Sequence, residues 1–188
     1  GRITYTGTFN GTLTTTKVWC SDPAWILFNL LTETRYGLGD HITEAQLDKY
    51  AFYSASVYCS ELVDDGAGGQ EPRFSCNTIL QARQDAYEVV NSLTSVMRSI
   101  SYWNAGSLTI SQDRPTDPSY LFNLSNVTSA GFGYSGTSLK TRATVVSVSY
   151  FDMENQELDF ETVEDVAAKN KYGVLHKKIT GFGCSSRG

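Results

Sequence analysis

The sequence is short of the residues that build most metal sites. It holds two histidines, His41 and His176, and four cysteines, Cys20, Cys59, Cys76 and Cys184. No cysteine lies within four residues of another, so the close ligand pairs of ordinary zinc sites are absent. An even cysteine count permits two disulfides in three connectivities; buried thiols acting as small apolar side chains are the simpler reading. Runs of positive charge are missing too. Basic residues never stand more than two together (Lys177, Lys178), and the net charge is -5. An acidic chain without a basic stripe repels a polyanion, so direct nucleic-acid binding is not expected. There is also no apolar run long enough to span a bilayer, no initiator Met and no signal peptide. With its ends at Gly1-Arg2 and Ser186-Arg187-Gly188, the chain is expected to be a piece of a longer polypeptide, and no membrane insertion by it is expected.

What is present suits a folded protein. Of 188 residues, 40% are apolar and 19% charged, enough for a core in one large domain or two small ones. Aromatic side chains make up 12%, a load that belongs in a core or an interface.

Periodicity divides the chain. From Ile3 to Phe9, apolar residues and glycine alternate with threonine, as in a strand, and Thr12 to Thr16 continues extended. Asp22-Pro23 can cap and start a helix that is apolar nearly all round from Ala24 to Leu31, expected to close near Arg35-Tyr36-Gly37. Such a helix is normally wedged between layers. Thr43-Glu44-Ala45-Gln46 has the form of a capping box, followed at helical spacing by Leu47, Tyr50, Ala51, Ala55, Tyr58 and Leu62. The stretch DDGAGGQE, Asp64 to Glu71, reads as irregular, and Arg73 to Cys76 as a short strand. The longest helix is expected to be capped by Asn77 or Thr78, with Ala86, Val90, Leu93, Met97 and Ile100 on its buried face.

Strand patterns dominate beyond Ile100. Tyr102-Trp103, the turn Asn104-Ala105-Gly106 and Leu108 to Ile110 predict a hairpin. Pro115 and Pro118 mark a loop, and Tyr120 to Leu124 suggests a short strand. Thr144 to Tyr150 and Leu158 to Glu161 alternate as strands, Val163 to Tyr172 suggests a helix closed by Gly173, and Val174 to Ile179 a last strand. Helices followed by strands argue an α+β fold, a helical middle packed with an antiparallel β-rich half. The expected division is an extended segment at 1–21, a helical α+β subdomain at 22–112 and a β-rich subdomain at 113–188, with one continuous domain as the alternative.

No catalytic, cofactor-binding or metal-binding residue stands out. The Asp64–Glu71 loop lacks the alternating oxygens and closing Glu of an EF-hand, and no Lys follows Gly69 as a phosphate loop requires. Glycoside hydrolysis needs two facing carboxyls. Asp113, Asp117, Asp152, Glu154, Glu161, Glu164 and Asp165 are candidates, yet none forms a distinguished pair. No GxSxG elbow accompanies either histidine. Asn123 and Asn126 open glycosylation sequons of a kind common by chance. Tyr50, Phe52, Tyr53 and Tyr58 could stack sugars or bases, although their helical spacing favours core packing.

Several stretches in order resemble the central part of the tip attachment (host specificity) proteins of lambda-like phage tails. They are PAWILFNLLTETRYGLG from Pro23, DDGAGGQEPRFSCN from Asp64, SYWNAGSLTISQDRP from Ser101, LSNV from Leu124, Lys171-Tyr172-Gly173 and GFGCSSRG from Gly181. The resemblance implies a non-enzymatic structural part of the tail hub, barrel-like in its C-terminal half and three-fold in the full assembly. It would associate with itself and with other tail-tip proteins, be assembled in the host cytoplasm, and carry a receptor-binding region located elsewhere. A carbohydrate- or receptor-binding module and a cell-wall hydrolase module are the alternatives.

Overall fold

The computed structural model describes residues 9–14, 18–80, 84–153 and 155–187, with backbone alone at 2–3 and 17. In chain order its elements are β1 (Arg2–Ile3), β2 (Lys17–Val18), α1 (Pro23–Thr32), α2 (Lys49–Ser60), β3 (Leu62–Asp64), β4 (Gln70–Pro72) and α3 (Ala86–Val96). Then follow β5 (Ser99–Asn104), β6 (Ser107–Gln112), β7 (Val145–Asp152), β8 (Glu157–Glu164), α4 (Val166–Tyr172) and β9 (His176–Thr180). The fold is mixed α+β, as the pattern of helices before strands implies. β1–β2, β3–β4 and β5–β6 are antiparallel pairs, and a three-stranded sheet has the order β8-β7-β9. Among the described residues no sheet closes into a barrel. Residues 4–8 and 15–16 of the two N-terminal extended stretches lie outside the described residues.

The chain forms two compact units: Gly1–Asp113 with Ser149–Phe160 and Thr180–Gly188, and Arg114–Val148 with Glu161–Ile179. The first holds the described hydrophobic core. α1 starts as its sequence dictates, with the Asp22 carboxylate accepting from Ala24 N at 2.9 Å and Pro23 in the first turn. Pro23, Ala24, Trp25, Leu27, Phe28, Asn29 and Leu31 are all buried, so α1 has almost no wet face. Trp25, Phe28 and Phe52 meet edge to face, at 5.6 and 5.3 Å between centroids. Each such side chain contributes roughly 1.5–3 kcal/mol by leaving water. α1 ends at Thr32, before the expected Arg35–Gly37. Gly37 is needed there for space rather than for a left-handed φ: a Cβ would lie 1.9 Å from Leu30 O.

Two helix starts differ from expectation. Thr43 and Gln46 do form a capping box, with Thr43 N donating to Gln46 Oε1 at 2.9 Å, but it closes only a 3₁₀ turn, Glu44–Gln46. Leu47 is then extended and bridges Leu108, and Asp48 caps α2 by accepting from Tyr50 N and Ala51 N. The buried face is therefore Phe52, Ala55, Ser56 and Cys59, at steps of three, one and three, while Tyr50 and Leu62 are exposed. Likewise α3 is capped by Asp85, not by Asn77 or Thr78, through bonds from Tyr87 N and Glu88 N. It buries Val89 and Leu93, with Met97 at its C-cap; Ala86 is exposed and Ile100 belongs to β5.

The Asp64–Glu71 stretch is more regular than expected, because its ends pair as the β3–β4 hairpin. Arg73 to Cys76 is not a strand, since its amides bond singly to scattered carbonyls: Phe74 N to Cys59 O and Cys76 N to Ser21 O. The β5–β6 hairpin turns at Ala105 and Gly106, with φ of 48° and 86°, the positive pair that a tight two-residue turn requires.

In the second unit, residues 114–138 contain no helix or strand, so the expected strand at Tyr120 to Leu124 is absent. Thr144 organises this unit. Its Oγ1 donates to Gly173 O (2.9 Å) and accepts from Leu175 N (2.8 Å), while its backbone bonds Leu175 O and Asp165 N. α4 is capped by Asp165 and closed by Gly173 at φ 80°. It starts three residues after Val163 because β8 continues to Glu164.

Candidate functional site

The described candidate residues mostly hold the fold together. Asp65 closes the β3–β4 turn, its Oδ1 accepting from Ala67 N (2.8 Å) and Gly69 N (2.9 Å), with Gly66 and Gly68 at positive φ. Those donors stabilise the carboxylate and hold its pKa below the ordinary 3.8. Asp64 makes the same kind of bond with Gly66 N. Among the described residues no three His, Cys, Asp or Glu side chains converge as a metal-binding group.

The carboxylates considered for acid-base work have structural partners. Asp113 pairs with Arg98 at 2.7 Å, Glu164 with Lys169 at 2.6 Å, and Asp152 accepts from Asn155 Nδ2 at 2.7 Å. Asp165 is the cap of α4; Asp117 is exposed, Glu161 is half-buried, and Glu154 lies outside the described residues. Two carboxylates outside that set, Asp22 and Asp48, join elements to one another as well as capping helices. Asp22 is buried and receives Ser56 Oγ at 2.5 Å, tying α1 to α2. Asp48 accepts from Thr109 Oγ1, tying α2 to β6. Their signal was the cap position itself.

His41 is exposed, and His176 Nε2 lies 2.8 Å from Ser147 Oγ. Of the aromatic set, Phe52 is in the core, Tyr53 stacks on Phe9 at 4.8 Å, and Tyr58 lies under the Arg73 guanidinium at 4.5 Å. Tyr50 is exposed and meets Phe9 edge to face. Tyr102 and Trp103 are exposed neighbours on β5, so they point to opposite faces and make no stacking platform. Asn123 Oδ1 accepts from Ser125 N, and Asn126 Nδ2 donates to Leu121 O, so both sequon asparagines shape a turn.

All four cysteines are free thiols, with Cys59 and Cys76 buried. Burial, and then the neighbouring Cys184, pushes the Cys76 pKa up to about 11, which keeps it protonated and inert. A shallow depression is lined by Trp19, Cys20, Ser21, Asp22, Ser60, Pro72 and Phe74, without a paired acid and base. Among the described residues no helix is long and apolar enough to cross a membrane.

The chemistry is thus architectural, while apolar side chains stand exposed along the second unit and on β8. No family model matches the chain. Curated relatives do, and they are phage tail-tip proteins. The chain is homologous over 97% of its length to one segment of tip attachment protein J. It is 39% identical to that protein of Escherichia phage SECphi27 over 184 residues and 30% identical to that of Escherichia phage SECphi4. It spans 15% and 16% of the lengths of these relatives.

Proposed function

We propose that this segment is a scaffold of the tail hub in a phage virion, without enzymatic activity. It associates with itself and with other tail-tip proteins, and the region that recognises the host receptor lies elsewhere in the full-length protein. The carrying observation is the match to tip attachment proteins along nearly the whole chain. The structural work done by its carboxylates supports the non-enzymatic part. Leu121, Phe122 and Leu124 in one unit, and Leu158 and Phe160 in the other, are exposed; large apolar side chains left in water support the assembly part, since covering them is favourable. We further propose the division into an extended segment at 1–21, a helical α+β subdomain at 22–112 and a β-rich subdomain at 113–188, with one continuous domain as the alternative. The test is sedimentation of the full-length protein released from purified tail tips. Oligomers, three-fold by family resemblance, are expected; a monomer would overturn the self-association. Clearing of peptidoglycan in a zymogram would overturn the non-enzymatic reading.

A further inference from the structure

The two outer strands of the β8-β7-β9 sheet carry opposite charge. β8 contains Glu157, Asp159, Glu161 and Glu164 and no base; β9 contains His176, Lys177 and Lys178 and no acid. All five residues of β9 and all but Glu161 of β8 are exposed. Neither edge has a further strand beside it among the described residues.

Strand direction decides what can pair. Ser147 Oγ meets Thr162 Oγ1 at 2.8 Å and Tyr150 OH meets Asp159 Oδ2 at 3.4 Å, so β8 runs against β7. Leu175 O accepts from Thr144 N and Val145 N at one end of β9, and Gly181 N donates to Ser149 O at the other, so β9 runs with β7. β8 and β9 are therefore antiparallel to each other. Two copies in the same orientation would place β9 of one beside β8 of the next as an antiparallel pair. Side-chain alternation fixes the faces as well. Ser147, Thr162 and His176 share one face; Glu157, Asp159, Glu161 and Lys177 share the other.

We propose that copies of this chain join head to tail through these edges, β9 of one copy extending the sheet at β8 of the next. This rests on the self-association proposed above and names its surface and geometry. Lys177 then meets the acidic row of its neighbour on one face. The two symmetric alternatives are disfavoured, because β8 on β8 opposes acid to acid and β9 on β9 opposes Lys to Lys. A head-to-tail contact uses two different surfaces and closes into a ring when its rotation allows. Charged edges of one sign also guard against wrong pairing of free strands.

The experiment uses the full-length protein, with folding of each variant checked by circular dichroism. Charge reversal of one edge, as E157K/D159K or as K177E/K178E, should weaken self-association by about tenfold in sedimentation. All four substitutions in one chain restore complementary edges and should recover the wild-type oligomer. Folded single-edge variants that assemble as wild type, or a four-fold variant no better than either, would overturn the edge pairing and leave self-association standing. A wild-type monomer would overturn both.

Discussion

The two units of this chain use apolar side chains in opposite ways. In the first, Trp25, Leu27, Phe28, Leu31, Phe52 and Met97 are at most 1% exposed. In the second, Tyr120, Leu121, Phe122, Leu124 and Tyr134 are all more than 60% exposed, and the described core cluster includes no residue of it. One unit has the burial that stabilises a fold from within. The other has a knot of hydrogen bonds at Thr144 and leaves most of its large apolar side chains exposed. The lesson is that composition alone does not separate these uses, since both stretches are rich in aromatics.

That contrast can be broken by substitution. The largest effect should come from Phe28→Ala, which leaves a cavity among Trp25 and Phe52 and should cost about 3–5 kcal/mol. All three tryptophans, Trp19, Trp25 and Trp103, lie in the first unit, so denaturant titration followed by tryptophan fluorescence reads it directly. A loss under 1 kcal/mol would show that this core is not what stabilises the unit. A middle effect is expected from Thr144→Val, which keeps the shape but strands Leu175 N and Gly173 O, at about 1–3 kcal/mol. Hydrogen exchange at Leu175 should quicken while tryptophan fluorescence is unchanged; unaltered exchange would remove Thr144 from its organising place. Leu121→Ser and Leu124→Ser should change stability by no more than about 0.5 kcal/mol, because neither side chain is buried. A larger loss would mean that these residues serve a core after all. The smallest effect should be that of Asp65→Asn. The Asp65 carboxylate has a lowered folded pKa, so its contribution is present above the unfolded value of 3.8 and is lost as pH falls through the folded one. Acid titrations of wild type and variant should therefore differ above pH 3.8 and converge as pH falls from there through the lower folded pKa; parallel curves would deny the Asp65 turn any role.

Signals confined to a few neighbouring residues were legible in the sequence. Asp22 with Pro23 announced α1, and Asn104 to Gly106 announced the β5–β6 turn, because each needs only local backbone chemistry. The starts of α2 and α3 were not legible. Thr43 to Gln46 is a genuine box, but Leu47 is drawn into a bridge with Leu108, sixty-one residues away, and the helix restarts at Asp48. Tyr120 to Leu124 has strand-like residues without a partner strand. The β3–β4 hairpin was hidden by glycines that belong to its turn alone. No compact site was legible, and the resemblance to tip attachment proteins came from motifs spread along the whole chain.

Cys76 carries a kinetic consequence. Its Sγ lies where a Cβ on Gly183 would come within 2.5 Å, and Asn77 N bonds Gly183 O beside it. The thiol is thus covered by the Gly183 backbone and is only 2% exposed. A reagent must wait for that cover to open, so alkylation of Cys76 in the folded protein is expected to follow local opening. Cys76 is in that sense a clock placed inside the fold, started by the reagent and read by mass as the thiol is uncovered.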